Sequence, residues 1–456
     1  MKLILLSGGS GKRLWPLSND ARSKQFLRIL DRPDGRKESM VERVWRQLGD
    51  MGLEDSAYIA TGKAQEEMIR SHVGMGVPLI IEPERRDTFP AIALAAVYLY
   101  SIVGTSLEEV VTILPVDPYV ENSFFSRIKV LERVIRESGS DIALIGVKPT
   151  YPSEKYGYIV PEKTGEPDAA YFQVNRFTEK PREEEAAELI KQSALWNCGV
   201  FAFKLGYLIN LLIDRRIPIH YDELTKQYGS LTKNSFDYEV VERAGNISVL
   251  PYEGYWKDLG TWNTLTEEMS VPLTGNGIVT DDSVNTHVIN ELGIPITVLG
   301  LSNAVIAASP DGILVADKVV SPRIKEVMKD MDQRPMYEER RWGHYLVLDY
   351  MTFSDGREVM TKRVSLEAGK NFSYHFHHKR SEVWTVISGE GQMVQDGEIR
   401  TLKAGDVVHI PIQSRHSLLA ITDMEIIEVM RGHELVEEDR VRLGMEWGAI
   451  LEFCLS

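Results

Sequence analysis

Only two cysteines, Cys198 and Cys454, occur in 456 residues. That is too few for a disulfide framework or a thiolate metal centre, so a reducing, cytoplasmic compartment is expected. Long apolar runs are missing as well. The longest, Ala91 to Val103, falls short of the roughly 20 residues that cross a bilayer, and it follows Pro90 as a buried helix would. No membrane partner is expected. The opening Met1-Lys2-Leu3-Ile4-Leu5-Leu6-Ser7-Gly8 carries one basic residue and an apolar stretch too short for a secretory signal, so export is not expected either. Positive charge is scarce: 52 Lys and Arg against 67 Asp and Glu leave a formal net charge of -15. Nucleic acid is therefore not an expected partner, because its phosphates are held by clustered cations. Any phosphate this chain binds must be met by a few placed charges.

What is present describes an ordinary folded protein, with 43% hydrophobic and 26% charged residues. The length suggests two or three domains. Short apolar runs at Leu3 to Leu6, Ala57 to Ala60, Leu79 to Ile81, Val110 to Leu114 and Ile142 to Val147 alternate with longer amphipathic stretches. This predicts an α/β domain over 1–265, Rossmann-like, with a mostly parallel sheet whose ligands bind beyond the carboxyl ends of the strands. From Gly275 to Asp317 short β-branched segments are punctuated by Gly, Asn and Asp, which predicts a small β-rich, β-helix-like connector over 266–333. A charged helix from Ser321 to Met331 leads to the Arg334-Pro335 break, after which 334–456, dense in Val, Ile and turn residues, reads as an all-β barrel.

Directly after the first strand stands Ser7-Gly8-Gly9-Ser10-Gly11-Lys12-Arg13-Leu14-Trp15-Pro16-Leu17-Ser18. Glycines there let backbone amides approach a triphosphate closely, although a tight turn alone would also use them. The loop lacks the third glycine of the dinucleotide fingerprint, and Arg13 follows Lys12 where a Walker loop needs Ser or Thr. With Lys24-Gln25-Phe26-Leu27 it resembles the sugar nucleotidyltransferases, in particular mannose-1-phosphate guanylyltransferases, departing at Lys12, where many members carry Thr, and at Ser23, where they carry Pro. The resemblance implies that Ser7, Gly8, Gly9, Gly11, Arg13 and Lys24 hold the nucleotide. Arg13 and Lys24 would also stabilise charge on the leaving pyrophosphate.

The block Glu82-Pro83-Glu84-Arg85-Arg86-Asp87-Thr88-Phe89-Pro90 resembles the same family's base-holding loop and implies nucleotide contacts from Glu82 and Thr88. Read by itself, Asp87-Thr88-Phe89-Pro90 is a helix start. Asp87 replaces the family's Asn, removing a donor. Val111 to Leu114 ends in Pro115-Val116-Asp117, and Trp256-Lys257-Asp258-Leu259-Gly260-Thr261-Trp262 is similar to a second family motif. Asp117 and Asp258 are the candidate ligands for Mg²⁺, a hard cation that takes one or two carboxylates beside phosphates and water. Either aspartate alone could serve a turn. Phe177-Thr178-Glu179-Lys180-Pro181 and Trp196-Asn197-Cys198-Gly199 are similar to the motifs that hold the sugar phosphate, implying Gly157, Glu179, Lys180 and Asn197 in that role. The implied reaction joins GTP to mannose 1-phosphate, giving GDP-mannose and pyrophosphate.

Farther along, Gly369-x5-His375-x-His377-x4-Glu382-x6-Gly389, with Gly405-x5-Pro411 and His416, resembles the cupin metal motif. Period-two spacing places His375 and His377 on one strand face, able to share Zn²⁺ or another divalent ion with Glu382 and His416. The surrounding Arg341 to Tyr345, Lys362-Arg363 and Arg380-x-Glu382-x-Trp384 resemble the second half of bifunctional mannose-6-phosphate isomerase and guanylyltransferase proteins. His375 stands for their Gln, Lys379 and Val383 for His, and Gln413 for Gly. Three readings stay open: a transferase with an inert cupin, a bifunctional enzyme, and a non-catalytic sugar-nucleotide sensor. A homo-oligomer, as a dimer, is the expected assembly.

Overall fold

The computed structural model describes residues 1–9, 11–19, 22–162, 170–331 and 333–455. Contacts divide the chain into two compact units. The first comprises Met1–Leu14, Ser23–Ser270 and Lys318–Pro322; the second comprises Trp15–Arg22, Val271–Asp317 and Arg323–Ser456.

In the first unit the five apolar runs are strands: Lys2–Ser7, Ala57–Gly62, Leu79–Glu82, Val110–Pro115 and Ile142–Val147. Their sheet runs in the order Leu79–Glu82, Ala57–Gly62, Lys2–Ser7, Val110–Pro115, Leu195–Lys204, Ile142–Val147, Ile247–Tyr252, Phe172–Thr178 and Tyr158–Pro161. The first four strands are mutually parallel, as are Ile142–Val147 and Ile247–Tyr252, and Leu195–Lys204 lies antiparallel between these two groups. Helices cover both faces, which is why the strands read as continuous apolar runs. Leu3 and Leu5 pack with Val41, Val44 and Phe124 on one face, while Ile4 packs with Ala93, Leu94 and Val97 on the other. Two helices show why they start where they do. Met40–Asp50 begins with a Ser39/Glu42 capping box. Thr88–Ser101 is capped by the Asp87 carboxylate, which accepts from the Thr88 N–H at 2.8 Å.

In the second unit, short parallel rungs build the connector. Leu273–Thr274, His287–Asn290 and Ala304–Ser309 stack in register, and Gly277–Val279 pairs with Ile296–Val298. Val288, Val298 and Ile306 fill its interior, as expected for a few β-helix coils. The helix expected from Ser321 to Met331 is shorter: a turn at Ser321–Arg323 and a helix at Ile324–Val327. Of the apolar side chains there Ile324 and Met328 are buried while Val327 and Met331 are exposed, so no apolar face carries the helix on. The β domain is antiparallel throughout, with a six-stranded and a five-stranded sheet. Strand alternation directs Val364, Trp384, Val386, Met393 and Leu418 into a shared core. Among the described residues, no helix is long and apolar enough to cross a membrane.

Candidate functional site

Strand Lys2–Ser7 delivers the chain to Gly8 and Gly9, both exposed, and Gly9 has φ 146°, which a side chain would strain. A Cβ on either glycine would meet no atom within 4 Å, so this stretch of backbone is open to a ligand. Ser10 lies outside the described residues. Gly11 and Arg13 continue in a 3-10 turn, Gly11–Leu14, and the Ser23 hydroxyl ties the loop by donating to the Gly9 carbonyl at 3.2 Å. Ser7 is buried and accepts from Gln25 at 3.4 Å.

Lys24 begins the next turn and points at two carboxylates, 2.7 Å from Asp117 Oδ2 and 3.5 Å from Asp258 Oδ1. Those aspartates are 141 positions apart in the chain, and a short ladder brings them together: Trp256–Asp258 pairs antiparallel with Pro118–Val120, setting Asp258 opposite Pro118. Burial works against the Lys24 charge, but Asp117 and Asp258 outweigh it and hold the ammonium above the usual lysine range. Burial likewise opposes the Asp117 charge, and Lys24 overcomes it, keeping that carboxyl below its usual range. Arg13 adds positive potential at both groups. Gly260 makes the approach possible, since a Cβ there would stand 2.9 Å from Asp258 Oδ1 and 3.3 Å from Lys24 Nζ.

A second group of predicted residues also converges. A Cβ on Gly157 would sit 2.5 Å from Glu179 Oε2 and 3.3 Å from the Asn197 Cβ, so only glycine admits both neighbours. Asn197 lies where Leu195–Lys204 slips register against Ile142–Val147, and its amide donates to Asp237 Oδ1 at 2.6 Å. Lys180 pairs with Glu179. Burial, reinforced by Asp237, raises the Glu179 carboxyl to about 7, and its Oε2 has no hydrogen-bond partner. A buried acceptor without a partner is a position where a ligand hydroxyl is favoured. Three rings connect this group to the aspartates: Tyr156 lies 4.7 Å from Trp196 and 5.6 Å from Trp256, centroid to centroid.

Glu82 and Thr88 have structural partners. Tyr228 donates to Glu82 Oε2 at 2.7 Å, and the Thr88 hydroxyl accepts from the Phe236 N–H at 2.8 Å. The segment carrying Tyr228, Phe236 and Asp237 therefore touches Glu82, Thr88 and Asn197 in turn. Asp237 was not singled out from the sequence, where Ser235-Phe236-Asp237-Tyr238 reads as a helix cap. The Ser235 hydroxyl does cap that turn, accepting from Tyr238 at 3.3 Å.

In the β domain His375, His377 and His416 offer ring nitrogens within 4.8 Å of one another, all buried. His375 Nδ1 lies 2.6 Å from the Ser373 carbonyl and His416 Nδ1 lies 3.0 Å from the Ser414 carbonyl, which leaves each Nε2 as the free lone pair. Glu382 closes the group, 3.2 Å from His377 Nε2 and 3.6 Å from His416 Nε2. Burial holds His375 and His377 below their ordinary values, in the neutral form that binds metal. These residues fit a divalent ion. Arg380, not picked out as a site residue, also donates to Glu382 Oε1 at 3.0 Å. The cavity beside them holds about 40 Å³ and is lined in part by Lys362, Glu428 and Arg440.

Residues 2–273 match the nucleotidyl transferase family, and residues 329–445 match the mannose-6-phosphate isomerase C-terminal family. The chain belongs to the nucleotidyl transferase family. Among relatives of this nucleotidyl transferase, the Pseudomonas aeruginosa alginate biosynthesis protein AlgA is 28% identical over 489 residues, covering 99% of this chain and 98% of that one. The Escherichia coli mannose-1-phosphate guanylyltransferase is 27% identical over 483 residues, covering 98% of each. A Thermus thermophilus crystal structure described as mannose-1-phosphate geranyltransferase is 28% identical with a TM-score of 0.61, covering 73% of this chain and 99% of that one. In this nucleotidyl transferase Asp117 and Glu179 come just after the sheet strands Val110–Pro115 and Phe172–Thr178, the position where ligands bind in α/β folds, while Asn197 lies within a strand.

Proposed function

We propose that this chain is a mannose-1-phosphate guanylyltransferase, converting GTP and α-D-mannose 1-phosphate to GDP-mannose and pyrophosphate. The carrying observation is the convergence of Asp117 and Asp258 on Lys24. The names of full-length relatives support the choice of base and sugar. In this reading residues 1–265 form the transferase domain, 266–333 the connector and 334–456 the cupin.

Asp117 and Asp258 would hold Mg²⁺, which when bound offsets phosphate charge. Ser7, Gly8, Gly9 and Gly11 cradle the triphosphate, with Glu82 and Thr88 toward the base. Lys24 stays ionised because two carboxylates favour its charge, and with Arg13 it offsets the charge that gathers on the departing pyrophosphate. No general base is needed, since a phosphate monoester with its second pKa near 6 is mostly dianionic at neutral pH. Gly157, Glu179 and Asn197 orient the sugar hydroxyls, and Lys180 meets the sugar phosphate, so that its oxygen attacks the α-phosphorus in line. Cytoplasmic location and a homodimer complete the reading. The exposed Ile278, Leu299, Ile313 and Val315 of the connector favour association, and light scattering measures it.

Pyrophosphate release from four nucleoside triphosphates crossed with mannose, glucose and fucose 1-phosphates tests the assignment. GTP with mannose 1-phosphate is the expected strong pair. A stronger alternative pair rejects it, and no release with any pair favours the sensor. For the cupin, the small cavity favours a domain that holds Zn²⁺ or another divalent ion on His375, His377, Glu382 and His416 without isomerising sugar phosphates. Mannose 6-phosphate formed from fructose 6-phosphate by the pure protein overturns that part.

A further inference from the structure

A cavity far larger than the one beside the histidines lies elsewhere in the second unit. It holds about 820 Å³, within the range of small-molecule sites. Strand alternation fixes which side of the β domain it occupies. Val364, Trp384, Val386, Ile426 and Met430 point into the core. Their neighbours His344, Leu346, Arg363, Ser365, Glu425 and Ile427 therefore face the other way, and they line this cavity. Register makes them a continuous grid: His344 lies opposite Ser365 and Ser365 opposite Glu425, while Leu346 lies opposite Arg363 and Arg363 opposite Ile427. The connector supplies the facing wall through Glu291 and Pro310, and Tyr337 lies between. The three clustered histidines belong to the five-stranded sheet, not to this six-stranded one.

The charges in the cavity are unevenly satisfied. Glu291 is held by Arg22 at 2.8 Å. Glu425 accepts from the Ser365 hydroxyl at 2.5 Å. The Tyr337 ring takes the Arg22 guanidinium at 5.1 Å and meets the His344 ring at 5.6 Å. Arg363 alone of these charged groups makes no hydrogen bond or ion pair among the described residues, and it is exposed to the cavity. A guanidinium fork is matched by phosphate oxygens. Glu425 and Ser365, two strand positions away, suit hydroxyl groups, and Leu346, Ile387 and Ile427 give an apolar floor for a ring.

We propose that this cleft is a second small-molecule site that binds a phosphorylated sugar, its phosphate on Arg363 beside His344 and its hydroxyls on Glu425 and Ser365. The free sugar phosphate and the nucleotide-linked sugar share this chemistry. Calorimetric titration of the full chain with mannose 6-phosphate and, separately, with GDP-mannose distinguishes them. Arg363→Ala is expected to weaken the binding of one of these probes by roughly tenfold or more, as loss of a hydrogen bond to a charged group does, with Arg363→Lys retaining part of it. In the same Arg363→Ala protein the melting temperature and pyrophosphate release stay at wild-type values, which separates this site from the transferase reading. Unchanged affinity for both probes in Arg363→Ala overturns the proposal, as does the absence of any mannose 6-phosphate or GDP-mannose binding that survives Lys24→Ala and His416→Ala.

Discussion

In the first unit a lysine lies between two aspartates whose side chains are each 32% exposed; in the second, an arginine and two histidines close on a glutamate with a side chain only 2% exposed. The ingredients are alike, carboxylate and cation, but the accessibility is opposite. Asp117 and Asp258 stay open to solvent, so incoming phosphate and metal are expected to compete with Lys24 for them. Glu382 receives bonds from its own chain on all sides. Burial opposes its charge, yet His377, His416 and Arg380 hold it well below the usual carboxylate range. The cavity beside it is small, about 40 Å³.

The comparison breaks most sharply at the aspartates. Asp258→Ala is expected to lower pyrophosphate release about 10²- to 10³-fold, the range for losing one preorganised charge partner. His416→Ala should leave that rate unchanged while the bound divalent metal, measured by atomic emission, falls to a small fraction. A transferase rate that follows cupin metal content would merge the two sites into one. Next in size is Gly157→Ala, whose new Cβ would meet Glu179 Oε2 at 2.5 Å. The KM for the sugar phosphate should rise roughly tenfold, with KM for the nucleotide unmoved.

The smallest effect concerns protonation. Glu179 is raised from 4.5 to about 7, by burial first and then by Asp237. Between those values the folded state keeps a proton that the unfolded state has released, so wild-type stability falls as pH rises through that window. Glu179→Gln lacks this slope. Urea melts from pH 4.5 to 7.5 should show the difference between the two proteins changing across the window, and parallel curves refute it. Glu428 in the second unit also rises to about 7, for burial and the nearby Glu382, so a residual slope in Glu179→Gln reports on the other member of the comparison.

Much of this was legible in sequence because local patterns carry it. Runs such as Val110–Pro115 are apolar at nearly every position since helices cover both sheet faces, and the loop after Ser7 has its glycines where the backbone is open. Three features were not readable. Leu195–Lys204 enters the sheet antiparallel between distant strands, a pairing that no local period encodes. Asp237 looks like one more polar residue in a capped turn, and only folding brings it to Asn197. Arg380 sits in a recognisable string, but its bond to Glu382 depends on two side chains sharing a strand face in a closed interior.

The ladder between Pro118–Val120 and Trp256–Asp258 has a consequence for synthesis. A nascent chain exposes Gly8, Gly9 and Asp117 early, yet Asp258 leaves the ribosome only 141 positions after Asp117, and the ladder can zip only then. Premature termination anywhere between them yields a fragment that has Asp117 but lacks Asp258 and the strand that pairs with Pro118–Val120. Such fragments are expected to release no pyrophosphate from GTP.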